Sequence, residues 1–431
     1  MLPLLVAALI LPVWNAATPD LMVSTARVDL TPPLEMKASL GGYGERMNRP
    51  ATGVHDRIWA KAVCLRQDGK RIVVVTADML ALPPGFKTAV IGELRKSDAT
   101  WKEDQVLLLP SHSHTSIDMT AINPLNTFGI PQLGVFHKGL YERTRDRFAN
   151  VISASASGEG LPCKVETRSI HLEGWNHNRR RDNVGIQQEL TVTRIDGPTG
   201  PVAALVNWTA HPTFMDASDM LYSGDWPGHM QRTLEALIGN GVTAMYYNGA
   251  EGDQSPIARP DSGENWEKAE RYGREIALQV WNVWKQATPK SGVQIESHLE
   301  TLSLPERIWH PDFMSTGGKE YGLTPQGIRT IVETMVPTES HSLAVRIGDL
   351  IIAPVPGELA SKPGDEIKER IRKATHARYV TIGGLADEWI SYILPTPEYH
   401  RGGYEASMSF YGDGLVNAIV DGVSRGASTL H

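Results

Sequence analysis

Residues Val106–Asp118 read VLLLPSHSHTSID. Four aliphatic residues in a row predict a short strand buried on both faces, Val106 to Leu109. Two histidines, His112 and His114, follow at once. Residues two apart on an extended chain share a face, so the pattern expects both imidazoles to point into one pocket. Similar apolar runs predict strands at 61–66, 72–76, 202–208, 242–247, 341–345, 350–353 and 378–382. Between them, 226–238, 266–287 and 363–373 have helical spacing, with helix-start signals ahead of the last two. Strands alternating with helices give an α/β fold, expected as a large mixed β-sheet core with flanking helices.

The 431 residues are 41% hydrophobic and 21% charged, with a net charge of −7. That composition is globular, and the acidic balance offers no positive field for nucleic acid. Two cysteines, Cys64 and Cys163, exclude a disulfide framework and a cysteine zinc site, leaving either one disulfide or two buried thiols. The opening MLPLLVAALILPVWNAATPD has an apolar run too short to span a membrane, followed by small residues. It has the form of an export signal, taken as 1–23, and predicts a secreted or periplasmic protein. No repeat, low-complexity tract or linker divides the remainder, so 24–431 is expected to be a single catalytic domain. Two irregular apolar stretches, 118–139 and 306–325, are expected to be a lid or pocket wall and the opposite rim.

Ligands in open α/β sheets bind beyond the carboxyl ends of strands, and five predicted strand ends run into polar groups. They are Ser111–His114, Asn207–Thr213, Asn248–Pro256, Pro356–Glu358 and the aromatic, acidic stretch 386–405. Imidazole and carboxylate are good zinc ligands, and a catalytic zinc keeps one position open for water. His112, His211 and Glu358 form such a set, suited to a hydrolase that must polarise a carbonyl. His229, on the helical face after Gly228, reads as a packed or surface histidine. Asp225 and Asp253 read as partners that orient the histidines or Ser255, or as turn caps.

Together these motifs resemble the neutral, non-lysosomal ceramidase family. Ala26–Pro32 is similar to its ADIT segment. Gly41–Tyr43 with Thr52–Arg57 is similar to GYA and TGIHxR, and Thr76–Asp78 to SAD. The double histidine stands in place of THTHSGP, and His211–Thr213 with Ser223–Asp225 in place of HPTSM and SGDNKG. Gly252–Pro256 is similar to GDVSP, Pro356–Glu358 matches PGE, and Tyr392 with Tyr404 is similar to YVTT and YEGAS. Each element is short; their common order over 24–412 makes the joint match specific.

The resemblance implies a zinc-dependent amidase with one Zn2+ per chain, held by His112, His211, Glu358 and Tyr392. It assigns the nucleophile to Ser255 and the groups facing the amide or its oxyanion to His114, Arg179 and Tyr404. Arg180 and Arg181 are neighbouring candidates, the Asn178-Arg179 match favouring Arg179. The expected substrate is ceramide or a ceramide-like lipid, cleaved to fatty acid and sphingoid base, with transient membrane-surface contact. Alternative readings are a zinc hydrolase of another N-acyl amide or ester, and a non-catalytic lipid or carbohydrate binder. Thr115-Ser116-Ile117-Asp118 replaces the family's SGPGG, so the pocket rim should differ. The chain is also expected to lack the family's C-terminal immunoglobulin-like domain.

Overall fold

A computed structural model describes residues 20–181 and 185–430. Residues 1–19, most of the expected export signal, lie outside the described residues. The first strand, β1 (Leu21–Asp29), already begins inside the 1–23 boundary, with Leu21 and Val23 buried.

Twelve principal strands follow a plan that occurs three times. The first group is β1, β2 (Trp59–Gln67), β3 (Lys70–Ala77) and β4 (Val106–Pro110). The second is β5 (Leu161–His171), β6 (Glu189–Gly197), β7 (Gly200–Trp208) and β8 (Thr243–Asn248). The third is β9 (Ile295–Ser303), β10 (Glu339–Ile347), β11 (Leu350–Pro354) and β12 (Tyr379–Gly383). In each group the first three strands are antiparallel and the last pair is parallel. A parallel pair needs a crossover. One helix provides it each time: α1 (Phe86–Leu94), α3 (Asp225–Ile238) and α6 (Ser361–Thr375). Each fourth strand is followed by a long helix, α2 (Lys138–Ala156), α4 (Asn265–Gln286) or α7 (Leu415–Ala427), while α5 (Pro325–Met335) is extra to the third group. The chain is thus a threefold internal repeat of structure, although its sequence shows no repeat.

The first two groups form one eight-stranded sheet in the order β8-β7-β6-β5-β1-β2-β3-β4, and the third forms a separate four-stranded sheet. The join between the first two is short, with only Leu21–Val23 pairing Leu161–Cys163. Strand alternation gives each group two apolar faces. In β2, Val63 and Leu65 enter a central core shared by all three groups, while Ala62 and Cys64 face the packing around α1 and α2. The second group sets Val206 and Tyr246 against the packing of α3 and α4. The third sets Ile351 and Ile382 against that of α5, α6 and α7. The expected mixed α/β fold with flanking helices is observed, its sheet divided in two. Both cysteines are buried free thiols.

Polar cross-links tie the fourth strands together. The Asn248 amide donates to Ser111 O (3.3 Å) and Ala210 O (3.2 Å). Gly384 N donates to Asn248 O at 2.9 Å, and Asp387 exchanges bonds with Leu108, N to O and N to Oδ1, both at 2.8 Å. The carboxyl ends of all three parallel pairs therefore meet at one place.

Candidate active site

His112 follows β4, His211 follows β7, and Glu358 follows β11, so each group supplies one side chain to the meeting point. All three are buried. Glu358 Oε2 lies 3.4 Å from both His112 Nε2 and His211 Nε2. Each imidazole is oriented from behind: His112 Nδ1 lies 2.6 Å from Leu80 O, and His211 Nδ1 lies 3.1 Å from Glu251 O. A carbonyl can only accept, so Nδ1 carries the proton in both rings and each Nε2 presents its lone pair to the centre.

The shared-face reading of His112 and His114 needs correction. Strand β4 ends at Pro110, and His112 has a φ of 73°, a left-handed turn rather than continued strand. The turn still brings the rings together, with His114 Nε2 3.3 Å from His112 Nε2 and the planes at 89°. Among the described residues, His114 Nδ1 is buried with no hydrogen-bond partner beyond the Gly42 backbone. Burial, aided by the positive charges of Arg46 and Arg179, holds His114 well below the usual imidazole range, so it is neutral. Gly42, at a φ of +93°, packs where an added Cβ would collide with this ring. That contact gives the glycine of the Gly41–Tyr43 motif a physical reason.

Glu358 and Tyr392 are partners in a two-residue parallel ladder, Glu358–Leu359 with Tyr392–Ile393. Arg179 Nη2 donates to Tyr392 Oη at 3.1 Å and to Gly252 O at 2.9 Å, while its Nε pairs with Glu405 at 2.9 Å. Burial works against this guanidinium, but Tyr392, Glu405 and Glu358 outweigh it and raise its pKa. Arg180 instead pairs with Glu405 and Glu398, and the exposed Arg181 pairs with Glu398. Of the three arginines, Arg179 therefore reaches the centre. Tyr404 Oη lies 3.1 Å from Tyr321 Oη, and its ring packs edge-on to Tyr392 at 6.1 Å.

Ser255 is carried on a separate short ladder. It is half-buried in a short strand, Gln254–Pro256, opposite His177 in the paired strand Asn176–Asn178. It is not among the residues lining the cavities around the histidines. Its neighbours are nonetheless fixed to the site: His211 N donates to Gln254 O (3.0 Å) and Arg179 N to Asp253 O (2.8 Å). Asp253 Oδ2 also accepts from Asn178 (2.8 Å) and Ser361 (3.0 Å), so this carboxylate secures the loop. The buried His229 stands with the exposed His55 and half-buried Asp56 in a second group of ligand-type side chains. The Arg232 guanidinium already donates to Asp56 (2.8 Å) and to His229 Nδ1 (3.0 Å), a cation in the place another cation would need.

An apolar cavity opens from the histidines. Its walls include Leu80, Phe313, Leu323, Val332, Met335 and Phe410, with His112, His114, Glu358, Tyr392 and Tyr404 at its polar end. Both irregular stretches supply walls: Asp118–Asn123 and Pro131–Leu133 on one side, Phe313, Tyr321 and Leu323 on the other. A second cleft reaches the same centre past Tyr43, Arg179, His211 and Tyr404.

The residues present fit a metal ion. His211 Nε2 and Glu358 Oε2 are buried and lack hydrogen-bond partners among the described residues. Leaving such groups unpaired costs several kcal/mol, about 2–7 in an apolar setting, and a cation between them removes the cost. Glu251, which the motifs did not single out, also has ligand atoms within 4.8 Å of those of His112 and Glu358. Its place in Gly-Ala-Glu-Gly-Asp reads as a turn, and the one signal in the sequence was its position just past a buried strand.

Comparison with known proteins agrees with this geometry. A neutral ceramidase from Pseudomonas aeruginosa is 21% identical over 86% of this chain and 66% of its own length. Neutral ceramidase A of Dictyostelium discoideum is 27% identical over 55% of this chain and 36% of its own length. The chain thus spans less than two thirds of each of these relatives. The crystal structure of the Pseudomonas aeruginosa neutral ceramidase superposes with a TM-score of 0.82 at 19% identity, covering 95% of this chain and 74% of that one, which shows the shared fold. The profile of the neutral/alkaline non-lysosomal ceramidase N-terminal region matches residues 22–268, more than half the chain and both histidine-bearing groups. With that match and the common fold, the protein belongs to the neutral/alkaline non-lysosomal ceramidase family.

Proposed function

We propose that this protein is a zinc-dependent amidase that hydrolyses the N-acyl bond of ceramide or a ceramide-like lipid to fatty acid and sphingoid base. The observation that carries the reading is the convergence of His112, His211 and Glu358, with unpartnered buried ligand atoms, at the polar end of an apolar cavity. The relatives named neutral ceramidases support the substrate class. His112, His211, Glu358 and Tyr392 would hold one zinc ion. When bound, zinc supplies carbonyl polarisation and a water of pKa ~7.

The remaining chemistry falls to the chain's own side chains. Arg179 keeps its charge and is fixed by Glu405 and Tyr392, ready to stabilise a developing oxyanion. His114 is neutral, the state needed to accept a proton from the nucleophile and return it to the leaving amine. Tyr404 borders the same space, and Ser255, by its match to the family, is proposed to supply the attacking hydroxyl. The apolar walls exclude water and receive an acyl or alkyl chain. One departure favours a second reading, another N-acyl amide: Asp118 sets a carboxyl into the wall where the family has glycines.

Export remains part of the proposal, resting on the apolar run before Asn15. Among the described residues no helix is long and apolar enough to cross a membrane. Metal analysis of the purified protein, with detection of fatty acid released from ceramide, tests the reading. About one zinc per chain and ceramide turnover lost on chelation are expected. Full activity in zinc-free protein would sink it.

A further inference from the structure

Glu251 stands three residues past the end of β8, and the mechanism above gives its side chain no task. Its residue is wholly buried, and among the described residues no other residue donates a hydrogen bond to either carboxylate oxygen. Gly384 closes against it so tightly that a Cβ there would come 2.7 Å from Glu251 Oε2. Its ligand atoms lie within 4.8 Å of those of His112 and Glu358, and its own carbonyl orients His211. A second carboxylate packed beside Glu358, with no other described residue donating to it, is an expensive arrangement unless a cation offsets it.

We propose that Glu251 is a further member of the metal-binding site, its carboxylate acting with that of Glu358 to balance the charge of the bound cation. The inference rests on the zinc centre proposed above and extends it. None of the motif matches includes Glu251, and the set of four ligands that the family resemblance implies leaves it out. The second group contributes through this residue twice, once by the carbonyl that aims His211 and once by the carboxylate.

The test is zinc competition against a chelator, together with thermal melts of the metal-free and zinc-loaded forms, for wild type, Glu251→Gln and Glu251→Leu. The proposal expects either substitution to weaken zinc binding by ~10–100-fold, the scale for groups that support a metal site. It also expects the metal-free variants to melt no lower than metal-free wild type, while gaining less from zinc. Variants that bind zinc as tightly as wild type would overturn the assignment. So would variants destabilised equally with and without zinc, the mark of a packing role. The leucine variant serves if the glutamine variant does not fold, since it removes the polar atoms altogether. If wild type itself takes no zinc from the chelator, the zinc centre fails, an outcome distinct from equal binding by wild type and variants.

Discussion

The side-chain amide of Asn248 donates to the carbonyl of Ser111, joining the ends of β8 and β4, strands of different groups. The same nitrogen holds Ala210 O, so one buried asparagine fixes the residues immediately before both His112 and His211. Asn248→Ala leaves two buried carbonyls without this donor. It should cost about 1–3 kcal/mol of stability, read in a denaturant melt, and should weaken zinc binding as well. Unchanged zinc affinity would separate the strand clamp from the site.

Zinc should stabilise the folded chain by mass action, about 2.7 kcal/mol at a hundred times its Kd. Glu358→Gln removes the carboxylate lying 3.4 Å from both histidines. The variant should fold, show no zinc-dependent rise in Tm and contain no stoichiometric zinc. A full zinc-dependent shift in this variant would place the metal elsewhere.

Ser255→Ala should separate chemistry from metal binding. The hydroxyl is not among the proposed zinc ligands, so zinc content should match wild type. If it attacks the amide, kcat should fall by at least ~100-fold, a loss comparable to removing other groups that act at the transition state. Near-wild-type kcat would assign attack to water and leave Ser255 a structural part of its loop.

Asp118 predicts a dependence on pH. Burial pushes its carboxyl up to about 6, against hydrogen bonds from Thr120 and Ala121. Below the unfolded value, ~3.9, the acid is protonated in both states and burial carries no charge penalty. As pH rises from there towards 6, the unfolded chain ionises first and stability falls; above 6 the cost is constant, at most about 3 kcal/mol. Asp118→Asn should therefore raise Tm at about pH 8 and leave it unchanged near pH 3.5. An equal Tm difference at both pH values would assign the effect to packing.

Met335 lines the apolar cavity from α5. Met335→Trp should obstruct a long chain and spare a short one, lowering kcat/KM for long-chain amides by ~10-fold or more, the scale of one to three kcal/mol per misfitted group. No loss on either substrate would place the chain in the second cleft.

Those strands that are apolar on both faces were legible because their residues form uninterrupted runs, as in Val106–Leu109 and Thr243–Tyr247. Leu161–His171, Glu189–Gly197 and Ile295–Ser303 were not, since polar and apolar residues mix along them and short apolar runs are the stronger signal. β1 was partly hidden by the export-signal reading. The threefold plan was invisible because its members share hydrogen-bond pattern and strand order, while side chains at matching places differ: Pro110, Asn248 and Gly383 all end fourth strands. At the site, residue type and position led to His112, His211 and Glu358, and the family resemblance alone added Tyr392. The left-handed φ of His112 and the inward turn of Glu251 depend on contacts with distant segments, and no local pattern encodes them.

The division of ligands among three groups has a consequence during synthesis. A nascent chain folded through residue 268 would already display the region that the family profile recognises, yet it would possess two histidines and neither Glu358 nor Tyr392. The centre is therefore completed only when the last third of the polypeptide has docked. Until then the proposed amidase would lack two of its four proposed zinc ligands.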